Sequence, residues 1–539
     1  MKRVIYSLLF GLYCLAGMAQ TGELIRIYTD KDCYLAGEEL WIKVCLDDEA
    51  LPGNILSRVA YVEICDTAQV HAQGKVALNQ GVGWACIQLP QTMHSGIYQL
   101  VAYTRYMRNW NSESFPRKQL AVLNALASSS DDRLFVNDST MFPDTNVVAS
   151  RHSVMKGDKE VYGTREKVSL TWPEQWPGAK DLTLSVVRKD CEVRLSQPET
   201  VPLAPVDGKR WVAECEGHIV TGHTVGTVAS ESLLAKLSCV GKEMKVFEGR
   251  KMDGNTYSFY TDRVNGQQDV VLSALSNEGQ AYRMEMETPF AGLLPEQLPD
   301  LYCQFEDSAL IARSIALQLT QAMPEAVLPK KMGEAIYGQL PSKTYNLDEY
   351  VRFNTIKESI IEFILGVSID KQEGKTVIRM LDEDGNAYSV LPVLVLIDGV
   401  PFHDHSKVLA YNAHRIHYIH QYRGNYTLGT HYGGILSLIT HRGTMPDIRV
   451  GTDMQMWSYE FPQDRPTFKI PDYDKEEVKA SHCPDFRHTL YWNPAVEGKN
   501  RATFYTSDME GTYVATLSGM DAEGKKIEVK WEFVVQRER

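Results

Sequence analysis

The sequence predicts a mainly β protein: tandem Ig-like β-sandwiches, then an α+β domain, then a C-terminal β module. Three observations carry this. Alternating apolar and polar residues recur in short runs, as in 40–46, where Leu40, Ile42, Val44 and Leu46 alternate with Trp41, Lys43 and Cys45. A motif, Asp30-Lys31-x-x-Tyr34-x-x-x-Glu38-x-Leu40, returns as Asp158-Lys159-x-x-Tyr162-x-x-x-Glu166-x-Val168, a domain-sized offset. After about Pro289 the period shifts toward that of helices.

In chain order, residues 1–19 open with Lys2-Arg3, continue through the apolar run 4–15 and end on Gly17-Met18-Ala19. This charged, apolar, small-residue order is that of an export signal cleaved before Gln20. Residues 20–125 are expected to form the first sandwich, with strands at 40–46 and 96–103. A linker at 126–150 is rich in Ser and Asp, and a second sandwich follows at 151–290. A helical connector spans 291–342, its helix starting at Asp307 or Ser308 and running to about Gln321. The next domain, 343–445, opens with a helix at 347–365, one face lined by Phe353, Ile356, Ile360 and Ile364. Strands 376–381 and 390–397 flank a turn at Asp382-Glu383-Asp384-Gly385-Asn386. The segment 446–539 is linker and β module, with period-two alternation from Ile527 to Val535.

Composition narrows the function. The chain of 539 residues has 56 Lys plus Arg against 69 Asp plus Glu, a formal charge of −13. It lacks the positive field of a nucleic-acid-binding protein. No apolar run after the signal reaches membrane-spanning length. Without Cys14 nine cysteines remain, an odd number that cannot pair completely, in no zinc-binding spacing. They are read as mostly buried free thiols, with one or two disulfides open in an oxidising compartment.

Three stretches resemble known modules. Tyr34-Leu35-Ala36-Gly37-Glu38 is similar to the turn before the second strand of macroglobulin-type domains, the fibronectin-like sandwiches of the α2-macroglobulin family. There Gly37 would supply a left-handed turn position, and Arg165 stands at the matching place in the second copy. Ile397-Asp398-Gly399-Val400-Pro401, Tyr422-Arg423-Gly424 and Tyr432-Gly433-Gly434-Ile435 occur in order. They resemble the plug domain of TonB-dependent outer-membrane receptors. The 446–539 remainder is far too short for a transporter barrel, so transport does not come with the resemblance. The segment from Asp485 to Asp508 resembles the terminal module of Gram-negative envelope proteins that combine both domain types. The thioester motif of α2-macroglobulins is absent, so covalent protease trapping is not implied.

No constellation of catalytic residues is legible, and no cofactor is expected. Seven of the fourteen histidines lie between His403 and His441, at 403, 405, 414, 417, 420, 431 and 441. On a strand at 414–421, His414 and His420 would face opposite to His417, so the cluster is read as polar surface and no metal site is assigned. Asp398-Gly399 is read as a tight turn, and Asp382 to Asn386 as a hairpin turn rather than a calcium loop. Ser139 and Thr140 are candidate O-glycosylation acceptors. The sequence thus points to a non-enzymatic protein exported to the periplasm or outer membrane of a Gram-negative bacterium. Its partner would be another envelope or outer-membrane protein. The alternatives are an accessory, ligand-binding component of TonB-dependent transport and a hydrolase with a dispersed active site.

Overall fold

A computed structural model describes residues 22–47, 56–126, 134–137, 154–173, 178–196, 201–208, 210–226, 233–241, 245–276, 280–322, 340–372, 374–428, 430–443, 455–479, 481–496 and 500–537. The fold is mainly β. Among the described residues no helix is long and apolar enough to cross a membrane. The export signal, Ser139 and Thr140 lie outside the described residues, as does most of the 126–150 linker. The chain divides into two compact units: Met1–Cys215 with Phe290–Ala326 and Pro462–Arg539, and Glu216–Pro289 with Val327–Phe461.

The first unit contains two sandwiches. In the first, a sheet of Ile25–Thr29, Glu39–Leu46 and Val82–Gln88 faces a five-stranded sheet. The latter has the order Cys33–Leu35, Arg117–Leu123, Gly96–Thr104, Val59–Cys65, Val70–Ala77. Leu40, Ile42, Val44, Val62, Ile64 and Leu100 fill the space between, where burial of apolar area drives the fold. Alternation in 40–46 suggests one wet face, yet Trp41, Lys43 and Cys45 are buried too. The second sandwich covers them. Arg26 pairs with Asp181 at 2.7 Å, Lys43 Nζ lies 3.4 Å from the Leu182 carbonyl, and Trp41 meets Phe468 edge-on.

That second sandwich corrects the expected 151–290 domain. Its strands Lys167–Thr171 and Lys180–Arg188 pair with Arg501–Tyr505, Thr489–Asn493 and Gly511–Met520, all from the expected C-terminal module. Lys526–Val535 closes it beside Val161–Tyr162. Neither segment can bury its apolar face alone, and together they enclose Tyr162, Leu184, Phe504, Tyr513 and Phe533. The linker is corrected in part as well, because Leu134–Val136 is a strand parallel to Leu301–Phe305.

The repeat has a structural counterpart. Tyr34 Oη donates to Asp30 Oδ1 at 2.7 Å, and the Trp41 amide adds a bond of 3.2 Å to the same oxygen. Tyr162 and the Ser169 amide treat Asp158 Oδ1 alike, at 2.8 and 2.9 Å. In both copies the short strand carrying the tyrosine runs parallel to the sandwich's last strand. Arg165 adopts the left-handed conformation of Gly37, with φ of 55° against 91°. Its side chain is held there by Asp508 and by the carbonyls of Ser481 and Cys483.

In the second unit, an eight-stranded sheet is built from strands between His218 and Met286, with Gln455–Glu460 added beside Gln267–Ser276. Residues 343–440 form a five-stranded mixed sheet. Its order is Lys343–Asn346, Ile416–Tyr422, Ile435–Thr440, Leu394–Ile397, Val400–Phe402. The expected 347–365 helix is shorter. Leu347–Glu349 is a single 3-10 turn, and the α-helix is Ile356–Glu362. A capping box of Thr355 and Glu358 starts it there. Ile356, Ile360 and Ile364 are buried as expected, but Phe353 precedes the helix and packs on Phe363. The helix Asp307–Ala322 begins at Asp307, one of the two residues expected to start it, and the Ala309 and Leu310 amides bond to the Glu306 carbonyl.

Candidate functional site

Tyr34 and Glu38 meet at a buried ionic network in the first unit. The helix Asp307–Ala322 carries only two charged residues, Asp307 and Arg313, and Arg313 points inward, 2% exposed. Its Nε and Nη2 donate to the two Glu38 oxygens at 2.7 and 2.8 Å, a bidentate pair. Nη2 also reaches the Cys33 carbonyl at 3.0 Å, and Nη1 reaches Asp190 Oδ1 at 3.1 Å. Lys31 adds a second cation to Glu38 at 2.9 Å, and Arg188 stands 3.8 Å from Asp190. Thr489 donates to Asp30 Oδ2 at 3.0 Å, tying the network to the Tyr34 bond.

Three carboxylates thus face three cations, which is how buried charge is tolerated. Burial works against the charge on Glu38 and Asp190. Arg313 outweighs it, helped by Lys31 at Glu38 and by His488 at Asp190, and holds both well below the usual carboxylate range. His488 Nε2 lies 3.0 Å from Asp190 Oδ1. Burial, reinforced by Arg313, lowers its pKa to about 4, so the imidazole is neutral near pH 7. Beside the network, the Cys303 contact and burial push the Cys191 thiol up to about 12, which removes nucleophilic character.

Gly37 completes the dock. Its carbonyl accepts from Gln321 at 2.8 Å and Gln88 at 2.6 Å, and a Cβ there would lie 2.9 Å from Gln91 Cγ. The helix is thereby held by polar groups on its inner face. Its outer face presents Ile311, Ile315 and Leu319, spaced by four and 57%, 52% and 38% exposed. Leu310 and Leu317 pack inward on the cluster of Leu35, Leu123 and Leu301, as an amphipathic helix ordinarily does; the outer row is a second apolar stripe, left in solvent.

The glycine-rich motifs of the second unit serve backbone geometry. Asp398 and Gly399 take φ of 47° and 82° and close a two-residue hairpin between Ile397 and Val400. Pro401 pairs with Leu396 in that hairpin. Asp398 is fully buried, and its carboxylate accepts from the Thr440 amide at 2.8 Å and hydroxyl at 2.6 Å. It therefore braces two strands. A Cβ on Gly433 would fall 1.8 Å from Ser389 Oγ, and Gly434 has φ of 145°. Gly424, at φ 111°, lets Glu383 pass close by. Asp382 caps its turn by accepting from the Asn386 amide.

The histidines separate by environment. His405 is buried, with Nδ1 accepting from the Ile378 amide at 2.9 Å, while His403 is exposed. His420 is buried, and His431 is exposed beside Thr427. His414 sits on a 3-10 turn, not on the strand expected at 414–421, so the face argument fails for it. His417 and His441 are brought together with Asp348, whose carboxylate the Arg352 guanidinium holds below its ordinary pKa.

Arg313, Asp190 and His488 were not legible as partners, because they are scattered along the chain. One signal was available, the lone arginine in an otherwise neutral helical stretch.

No protein-family model and no curated protein matches the chain. Among solved structures, it is similar to the native conformation of Escherichia coli α2-macroglobulin at 7% identity. That match covers 96% of this chain and 40% of the other, at a TM-score of 0.23. Salmonella α2-macroglobulin reacted with methylamine matches at 10% identity, over 95% of this chain and 23% of the other, at a TM-score of 0.16. The Escherichia coli adhesin FdeC matches at 13% identity, over 48% of this chain and 60% of the other, at a TM-score of 0.14. The chain spans about a quarter to two fifths of the length of these macroglobulins.

Proposed function

We propose that the protein is a non-enzymatic, exported envelope component that binds another envelope or outer-membrane protein. The observation that carries this is the second, exposed aliphatic stripe of the helix Asp307–Ala322. Arg313 fixes one face to the sandwich, leaving Ile311, Ile315 and Leu319 as an aliphatic ridge in solvent. Such a ridge has no role in the core of its own unit, and contiguous exposed apolar surface marks interaction sites. A helix laid into a partner's apolar groove would use these i, i+4, i+8 anchors. The signal-like segment 1–19 and the plug-like motifs within 343–445 support an envelope setting.

The test is photo-crosslinking in intact envelopes from a reactive residue placed at Ala312, beside the ridge. A specific adduct with one envelope protein is expected, and Ile315→Glu with Leu319→Glu should abolish it while the melting temperature stays unchanged. An adduct that survives the double substitution would overturn the assignment of the ridge. Absence of any adduct would overturn the proposed interaction at this surface.

A further inference from the structure

We propose that Asp348, His417 and His441 form a surface site for a divalent transition-metal ion, with zinc as its representative. Each ligand comes from a different element. Asp348 lies on the 3-10 turn Leu347–Glu349, His417 on strand Ile416–Tyr422, and His441 just past strand Ile435–Thr440. Strand register brings the histidines together. Ile416 pairs with Thr440 and Tyr418 with Ile439, so His417 is the extra residue of a β-bulge. Bulges re-aim a side chain, and here the His417 ring stacks on His441, centroids 4.8 Å apart and planes 17° from parallel.

The spacing suits an ion. Ligand atoms around a tetrahedral zinc lie about 3.3 Å apart, given metal–ligand distances of roughly 2.0–2.2 Å. His417 Nε2 stands 3.2 Å from Asp348 Oδ2, and His441 Nε2 stands 3.8 Å from Asp348 Oδ1. All three donor atoms fall within 4.8 Å of one another. The side chains are 47%, 29% and 44% exposed, so the shift of about an ångström that closes the set meets no packed core. Two imidazoles and a carboxylate are a donor set for zinc and other first-row metals, and they leave positions open for water or an incoming ligand.

Arg352 supplies the positive charge in the ion's stead. Its guanidinium pairs with Asp348, and its Nη2 lies 3.4 Å from His441 Nε2. Its Nη1 also donates to the carbonyls of Ala413 and Ile416, at 3.0 and 2.6 Å. An entering ion displaces the Asp348 contact, and Arg352 keeps these two carbonyl partners. Arg352 therefore competes with the metal and sets its affinity.

Isothermal titration of the full chain with zinc chloride tests this. One ion per chain is expected. His417→Ala and His441→Ala should each weaken binding by at least the roughly tenfold that loss of an outer-shell partner costs, and Arg352→Gln should strengthen it. Circular dichroism checks that each variant is folded, and Asp348→Asn, nearly isosteric, serves where an alanine variant is not. Cobalt substituted for zinc should show the visible absorption of nitrogen and oxygen ligation, lost in the same variants. No binding by the wild-type chain would overturn the proposal. So would binding that is unchanged in His417→Ala, His441→Ala and Asp348→Asn, which would place the ion on other residues.

Discussion

Tyr34 donates its hydroxyl to Asp30 at 2.7 Å, and Tyr162 repeats the bond to Asp158 at 2.8 Å in the second sandwich. The two acceptors differ in setting: Asp30 is buried and Asp158 is exposed. Tyr34→Phe strips a bond from a buried carboxylate, and a cost of about 2 kcal/mol is expected. Tyr162→Phe leaves an oxygen that water can reach, and about 1 kcal/mol is expected. Hydrogen exchange in each sandwich, followed through urea, separates the two effects.

Arg313→Met should be among the most destabilising single changes in the first unit. It leaves Glu38 and Asp190 buried opposite weaker partners, a cost of about 3–5 kcal/mol for breaking a buried ion pair from one side. Arg313→Lys should not restore stability, because an ammonium cannot form the bidentate contact or span both carboxylates. Adding Glu38→Gln to Arg313→Met should recover part of the loss. Calorimetry of the four chains checks each step.

Acid should unfold the first unit in two stages. His488 has its folded pKa lowered to about 4 from an ordinary 6.5, so the unfolded chain binds its proton first. The stability linked to this group is fully present above pH 6.5 and is lost as pH falls from there toward 4. Glu38 and Asp190, also lowered, add stability that is lost as pH falls below the ordinary carboxylate range. In His488→Gln the dependence between pH 6.5 and 4 should flatten while the steeper acid limb remains, as read by melting temperature against pH.

At Gly433 an added Cβ would strike Ser389 Oγ at 1.8 Å and Ser389 Cβ at 2.4 Å. Gly433→Ala should therefore cost about 1–3 kcal/mol, the range for overpacking. Because the clash is with one side chain, Ser389→Gly should rescue much of it. A double-mutant cycle on thermal stability measures the coupling.

The legible parts of this fold are those in which nearby residues determine the outcome. The repeat at 30–40 and 158–168 links residues four and eleven apart, and the Asp398-Gly399 and Gly433-Gly434 turns depend on glycine's backbone freedom. Partner choice was not legible. Alternation in 180–188 shows that a face is buried but not that 489–520 covers it. Apolar spacing through Phe353 extended a helix that the Thr355 and Glu358 box starts later. The triad of Asp348, His417 and His441 depends on a bulge, which alternation alone cannot reveal.

The second sandwich is assembled from the two ends of a long interval: Arg165 and Asp508, which bond across it, are 343 positions apart. The entropy of closing so long a loop must be met before its contacts form. Compaction of the intervening residues shortens the effective loop, so the order of folding is set by the unit inserted between the two halves. Ile360→Asp, buried in that inserted unit, would then slow closure of a sandwich with which it shares no core. As the chain emerges N-terminus first during synthesis, the first sandwich can form early. The second has to wait for the final strand, and strands 167–171 and 180–188 stay open to proteases and to wrong partners until it arrives.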